Sequence, residues 1–160
     1  MMSELFVEDG AWKEIDAYDA FYDANLDIVN IKFNTGKTQY SLIFEDVVFD
    51  LNLEHFLTNI EILIPFRNWK KTELEMPSTM AKLNPRFINV EAHLNLDDVC
   101  VDLVYDKDRN NAKVVFGTES GCNYYEVCKK VYFELDENRC LTGIYFKIDS
   151  ESLQSKAAIK

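Results

Sequence analysis

FDLNLEHFLTNIEI (residues 49–62) and FELDENRCLTGIYF (133–146) spell one pattern twice, 84 positions apart. Each begins with Phe and an acid, carries Leu-Thr at the same place and ends in alternating apolar residues. In the first stretch Phe49, Leu51, Ile60, Ile62 and, just beyond it, Ile64 keep a period of two. Phe133, Leu135, Ile144, Phe146 and Ile148 keep it in the second. Polar residues such as Asp50, Glu61, Glu134 and Lys147 fall between them. That period marks strands with one buried face. The polar tetrads NLEH and DENR are of hairpin length, so each stretch reads as a β-hairpin.

The repetition extends upstream. LDIVNIKF (26–33) matches LDDVCVDL (96–103) at an offset of 70, sharing Leu, Asp and Val. The second copy is then 14 residues longer between strand and hairpin, room for a further strand or loop in DKDRNNAKVVFGTESGCNYYEV. TQYSLIF (38–44) adds a strand with Tyr40, Leu42 and Phe44 on one face. A meander of this size is marginal alone, because it buries only one face. Its own copy supplies the missing cover. The expected fold is mainly β (β-rich α+β), two related antiparallel meanders packed as a sandwich or closed as a barrel. The modules fall at about 22–65 and 90–150, with a joint at 66–89, in one domain of 160 residues.

Two short helices complete the expectation. EDGAWKEIDAYDAFYD places Trp12, Ile15, Tyr18 and Tyr22 at helical spacing, predicting a short N-terminal helix. In the joint, PFRNWKKTELEMPSTMAKLNPRF (65–87) holds all three prolines and the cations Arg67, Lys70 and Lys71. Ser78 and Pro85 there would cap and end a second helix.

The net charge of −11 is unevenly spread. Residues 1–66 hold 13 acids and 3 bases, net −10, whereas residues 67–160 hold 15 acids and 14 bases, net −1. Phosphate contacts require cations, so direct nucleic-acid binding through the first half is disfavoured. A segregated acidic surface suits a basic protein partner and would speed its encounter. Acidity that serves solubility alone is the plainer account of it. No apolar run approaches the roughly 20 residues of a membrane-spanning helix. MMSELFVEDG lacks the basic start and apolar core of a secretory signal, which sets a cytoplasmic location as the expectation.

Nothing in the chain spells a reaction. Cys100, Cys122, Cys128 and Cys140 contain no C-x-x-C, and His55 and His93 lie far from them. FGTESG (116–121) has two glycines but no phosphate-loop lysine. No catalytic residue, cofactor or metal site is expected. EIDAYDAFYDANLD instead interleaves aromatics with acids, a composition suited to an interface with Arg or Lys opposite. The same residues also fit an amphipathic helix covering the sheet. The candidate partner-binding residues are Glu14, Asp16, Tyr18, Asp19, Tyr22 and Asp23, followed by Asp46 and Glu54 at the ends of the first hairpin.

Tyr22-Asp23, Asp27 through Phe33 and Asn59-Ile60-Glu61-Ile62 resemble a small, uncharacterised bacterial β-module family. Asp97 through Leu103 and Gly143-Ile144-Tyr145-Phe146 resemble a decayed second copy. The resemblance implies a β meander and says nothing about activity. In size, acidity and want of catalytic motifs the chain is also similar to bacterial immunity proteins, notably those of contact-dependent growth inhibition. That likeness implies cytoplasmic neutralisation of a cognate basic toxin, often a nuclease, by acidic occlusion of its groove. A regulatory or scaffold interaction domain, docking through the basic joint, is the alternative.

Overall fold

The computed structural model describes residues 5–11, 15, 17–23, 26–44, 46–79, 81–88, 100–117 and 120–148, with residues 17–23 described by backbone alone. The chain is mainly β. Its first sheet is built from β2 (Ala17–Asp23), β3 (Ile28–Phe33), β4 (Tyr40–Ile43), β5 (Val47–Leu51) and β6 (Leu57–Ile62), in the order β2-β3-β6-β5-β4. Its second has β10 (Val101–Asp106), β11 (Asn111–Phe116), β12 (Asn123–Cys128), β13 (Val131–Leu135) and β14 (Leu141–Lys147), in the order β10-β11-β14-β13-β12. The two orders are the same, element for element. Neither sheet closes into a barrel.

Register shows how deep the repetition goes. Both hairpins carry an irregularity at the same place, Asp50/Leu51 in one and Glu134/Leu135 in the other. Both turns are tied by one side chain. Asn52 Oδ1 accepts the N–H groups of Glu54 and Phe56 at 2.9 and 3.0 Å. Asp136 Oδ1 accepts those of Asn138 and Cys140 at 2.8 and 2.9 Å. Each turn then needs a left-handed residue, His55 (φ 73) or Arg139 (φ 64). A short acceptor at the turn's first position is what fixes such a loop.

The upstream alignment at offset 70 is corrected by the strand pairing. Ile31 of β3 lies opposite Ile60, and Val114 of β11 lies opposite Ile144. The counterpart of β3 is therefore β11, at offset 83, and β10 answers β2. YDANLDIVNIKF (22–33) now matches YDKDRNNAKVVF (105–116), and Asp27 (φ 58) meets Asn110 (φ 56) in the same turn. The step from 83 to 84 is one extra residue at the irregularity between Glu126 and Cys128. The apparent match of 96–103 rested on shared Leu, Asp and Val, which any strand can supply.

The expected N-terminal helix is not present among the described residues. Val7–Asp9 form β1, and Ala17–Asp23 form the edge strand β2, paired with β3. Aromatic-rich AYDAFYD satisfies period two as well as period 3.6, and the open side of β3 decides between them. The expected joint helix is also absent. Phe66–Asn68 make a single 3-10 turn, and β7 (Lys70–Lys71), β8 (Ala81–Lys82) and β9 (Pro85–Phe87) follow. β7 runs parallel to β10 and β8 parallel to β12, so the joint covers both edges of the second sheet. Pro85 stands in a two-stranded ribbon with β1, where a missing N–H is tolerated.

That ribbon interlocks the copies. β9 precedes the second copy but lies on the turn of the first: Phe87 N–H donates to His55 O at 3.1 Å, and His55 Nδ1 faces Phe87 O at 3.2 Å. β1 precedes the first copy but lies on the turn of the second. Val7 N–H donates to Arg139 O at 2.9 Å, and Arg139 Nε donates to Val7 O at 3.1 Å. Each copy thus lends its leading strand to the other.

The inner faces share one core. Phe44 and Phe49 of the first sheet meet Phe116 of the second, with centroids 5.2 and 5.6 Å apart. Phe87 bridges Phe49 and Phe133. The alternation read from the hairpins holds: Phe49, Leu51, Ile60, Ile62, Phe133, Leu135, Ile144, Phe146 and Ile148 are buried.

Asp106 pins the joint to β10. Its Oδ2 accepts Leu74 N–H at 2.8 Å and Arg109 Nη1 at 2.7 Å, and its Oδ1 accepts Asp108 N–H at 3.0 Å. The Leu74 bond, opposed by desolvation and aided by Arg109 and the turn amides, holds the carboxyl at about 2. A folded-state value below the unfolded one gives stability that is complete above about pH 4 and lost as pH falls toward 2. Asp106→Asn should flatten that part of a melting-temperature profile taken from pH 2 to 5. It should also speed hydrogen exchange in 70–75. An unchanged acid slope would contradict this account.

Candidate functional site

Period two sends one side of each sheet to the shared core and the other outward. On the first sheet the outward positions form two rows, read across the strands from the pairing. One row is Asn30, Glu61, Val48 and Ile43; the next is Lys32, Asn59, Asp50 and Ser41. Asp50 and Glu61 are diagonal neighbours there, about 7–8 Å apart by sheet geometry. Asp46 immediately precedes β5 and Glu54 sits in the turn after it, so four carboxylates follow the β5–β6 hairpin from end to end. At about 3.4 Å per residue, β5 alone spans about 17 Å of that stripe.

The equivalent rows of the second sheet hold Lys113, Tyr145, Tyr132 and Glu126, then Val115, Gly143, Glu134 and Tyr124. The central acid is Glu134 in place of Asp50, and here it is buried and neutralised. Its Oε2 accepts Lys113 Nζ at 3.0 Å, and its Oε1 accepts Thr142 Oγ1 at 2.8 Å and Gly121 N–H at 3.2 Å. Tyr145 OH reaches Oε2 at 3.5 Å, and its ring lies 4.7 Å beneath the ammonium. A Cβ at Gly143 would stand 2.8 Å from Lys113 Cε, so the absence of a side chain there gives the lysine its path. Burial pulls the Lys113 ammonium down. The bonds to Glu134 and Tyr145 and the charge of Glu134 outweigh it, and the value lies above the ordinary lysine range. A lysine held protonated is the reverse of what a lysine base or nucleophile requires.

Lys113 is replaced by Asn30 in the first copy, and Tyr145 by Glu61. Among the described residues Asp50 keeps Ser41 Oγ at 2.8 Å and Asn59 Nδ2 at 3.4 Å. Among the described residues, Asp46, Asp50, Glu54 and Glu61 take part in no ion pair. The chain matches no family model and no curated protein. Between its two internal copies, however, the charge differs. Residues 17–64 carry eight acids and two bases, net −6; the equivalent 100–148 carry eight acids and seven bases, net −1.

Of the residues singled out from sequence, Glu14 and Asp16 lie outside the described residues. Tyr18, Asp19, Tyr22 and Asp23 stand on β2, at the far edge of the sheet from β4, on a strand and not on a helix. Asp46 is half-buried and Glu54 exposed, at opposite ends of the hairpin. Asp50 and Glu61 were passed over as spacers between apolar residues. The alternation that named those apolar residues also assigns these two acids to the outer face. The basic joint is partly spoken for. Arg67 pairs with Asp27 at 3.1 Å, and Lys71 lies over the rings of Phe66 and Tyr105 at 4.7 and 5.1 Å. Cys128 and Cys140 are buried, Cys100 and Cys122 exposed, and none of the four is in a disulfide. No helix among the described residues is long and apolar enough to cross a membrane.

Proposed function

We propose that this protein binds and neutralises a basic protein toxin, a nuclease being the best fit, through the acidic outer face of its first sheet. Carboxylates along β5 and β6 take the place of nucleic-acid phosphates in the toxin's cationic groove and block it. The observation that carries this reading is the charge difference between two copies of one fold. The second copy neutralises its central acid with Lys113; the first keeps the acid and has Asn30 at the lysine's position, its outward lysine, Lys32, standing two strands from Asp50. Such a surface accelerates encounter with a basic partner and disfavours nucleic acid itself. The alternative is a scaffold domain docking through the joint, where Arg67 pairs with Asp27 and Lys71 lies over Phe66 and Tyr105.

The test uses the product of the neighbouring reading frame as the candidate toxin, with binding measured at low and high salt. Complex formation that weakens with salt is expected. The variant D46N/D50N/E54Q/E61Q should bind about 100-fold more weakly, taking about 0.7 kcal/mol for each exposed pair. No complex at either salt, or equal affinity of the variant, would refute the proposal.

A further inference from the structure

The two copies also differ at their edges. In the second sheet, β8 lies along β12, with Ala81 opposite Tyr125 and Lys82 opposite Glu126. Leu83 N–H donates to Glu126 O at 2.9 Å, and Lys82 Nζ stands 3.8 Å from Glu126 Oε2. The equivalent edge of the first sheet is β4, and among the described residues no strand lies beyond it. The register equates Ile43 with Glu126, so the position that carries a charge under β8 carries an apolar residue here, 41% exposed. The adjoining corner follows suit. Leu63 N–H donates to Asp46 O at 2.8 Å, and Lys147 N–H to Lys130 O at 3.2 Å. Where the second copy has Glu126, Lys147 and Lys130, the first has Ile43, Leu63 and Asp46.

Natural sheets protect open edges with lysine, proline, bulges or covering segments. β4 reads Tyr-Ser-Leu-Ile and has neither of those residues; among the described residues, its shortness is what protects it. By contrast β2, at the other edge, carries Asp19 and Asp23.

We infer that β4 is a docking edge for an extended basic segment of the partner, which adds to the first sheet as β8 adds to the second. Main-chain hydrogen bonds supply the affinity of such a complex, and alternate side chains its specificity. The segment runs parallel to β4, sets an apolar side chain against Ile43 and Leu63, and turns lysine or arginine toward Asp46. This inference rests on the neutralisation reading for the partner's identity, but not for the site.

A short peptide alternating lysine and isoleucine is the probe, with an acidic counterpart alternating glutamate and isoleucine. Hydrogen exchange at Tyr40–Ile43 is expected to slow about tenfold or more with the basic peptide and not with the acidic one. Ile43→Lys should abolish that protection. Leu53→Lys, which makes the same charge change in the distant turn, should leave peptide affinity within about twofold. Three results would overturn the inference: protection confined to other strands or absent, equal losses in the two variants, or protection of β4 by self-association that the peptide does not displace. Because the probe is synthetic, these results stand apart from the toxin experiment. Loss of the toxin complex with peptide binding intact would sink the neutralisation reading alone.

Discussion

Lys113→Met should lower the unfolding free energy by about 3–5 kcal/mol, read as a fall in the urea midpoint. Lys113 and Glu134 are 12% and 1% exposed at their side chains, so removing the ammonium strands a carboxylate out of reach of water. The penalty is that of an uncompensated buried charge, larger than the value of the pair itself. The double variant K113M/E134L should therefore regain most of the loss. Recovery stops short of complete, because Gly121 N–H loses its acceptor, at about 1 kcal/mol, whereas Thr142 Oγ1 keeps the main-chain oxygen of residue 134 at 3.1 Å. A loss under about 1 kcal/mol in the single variant would mean that Glu134 is hydrated or neutral.

The same cluster shows what sequence reading reaches and where it stops. Period two placed Phe133 and Leu135 in the core and Glu134 on the other face, as found. Nothing local says that an outward glutamate is buried. That depends on Lys113, 21 residues earlier, and on the β11–β14 pairing that sets it beside Tyr145. The two hairpins were legible because strand, turn and strand are contiguous and their periodicity is strict. The upstream strand was misaligned because six residues of alternating Val, Ile and Asp match many frames. Tyr-Asp at 105–106 was the better guide, having a turn residue at fixed distance in both copies, Asp27 and Asn110. The N-terminal helix failed for a related reason. Over seven residues, an aromatic-rich segment fits two periods, and the choice belongs to the neighbouring strand. Strand exchange by β1 and β9 left no mark in either segment, since Val7 and Phe87 bond to the turns through their own main-chain groups. For the candidate site, charge segregation was visible at once. The stripe from Asp46 through Glu61 and Asp50 to Glu54 required the register.

Phe49→Ala should cost about 3–5 kcal/mol, toward the upper end, and should destabilise both sheets together. Phe49 is fully buried, with Phe44, Phe116 and Phe87 at centroid distances of 5.0, 5.6 and 5.8 Å. Those three rings come from the first sheet, the second sheet and the exchanged strand β9, so one truncation opens a cavity at the junction of all three. Val48→Ala, one residue away on the outer face, should cost less than about 1 kcal/mol. The two measurements test the face assignment directly. Trp69 reports on the far side of this core, packed against Phe66 at 5.2 Å and Phe146 at 6.2 Å. In a Trp12→Phe background it is the sole tryptophan. Its fluorescence transition should shift to lower urea together with the far-UV circular dichroism, as one cooperative unit. A meander of this size is marginal alone, and here each lends a strand to the other's turn. On this account neither should have a separate folded state to fall back on. If F49A moved the circular dichroism transition and left that of Trp69 in place, the copies would be independent, and mutual cover would no longer explain why the chain carries two.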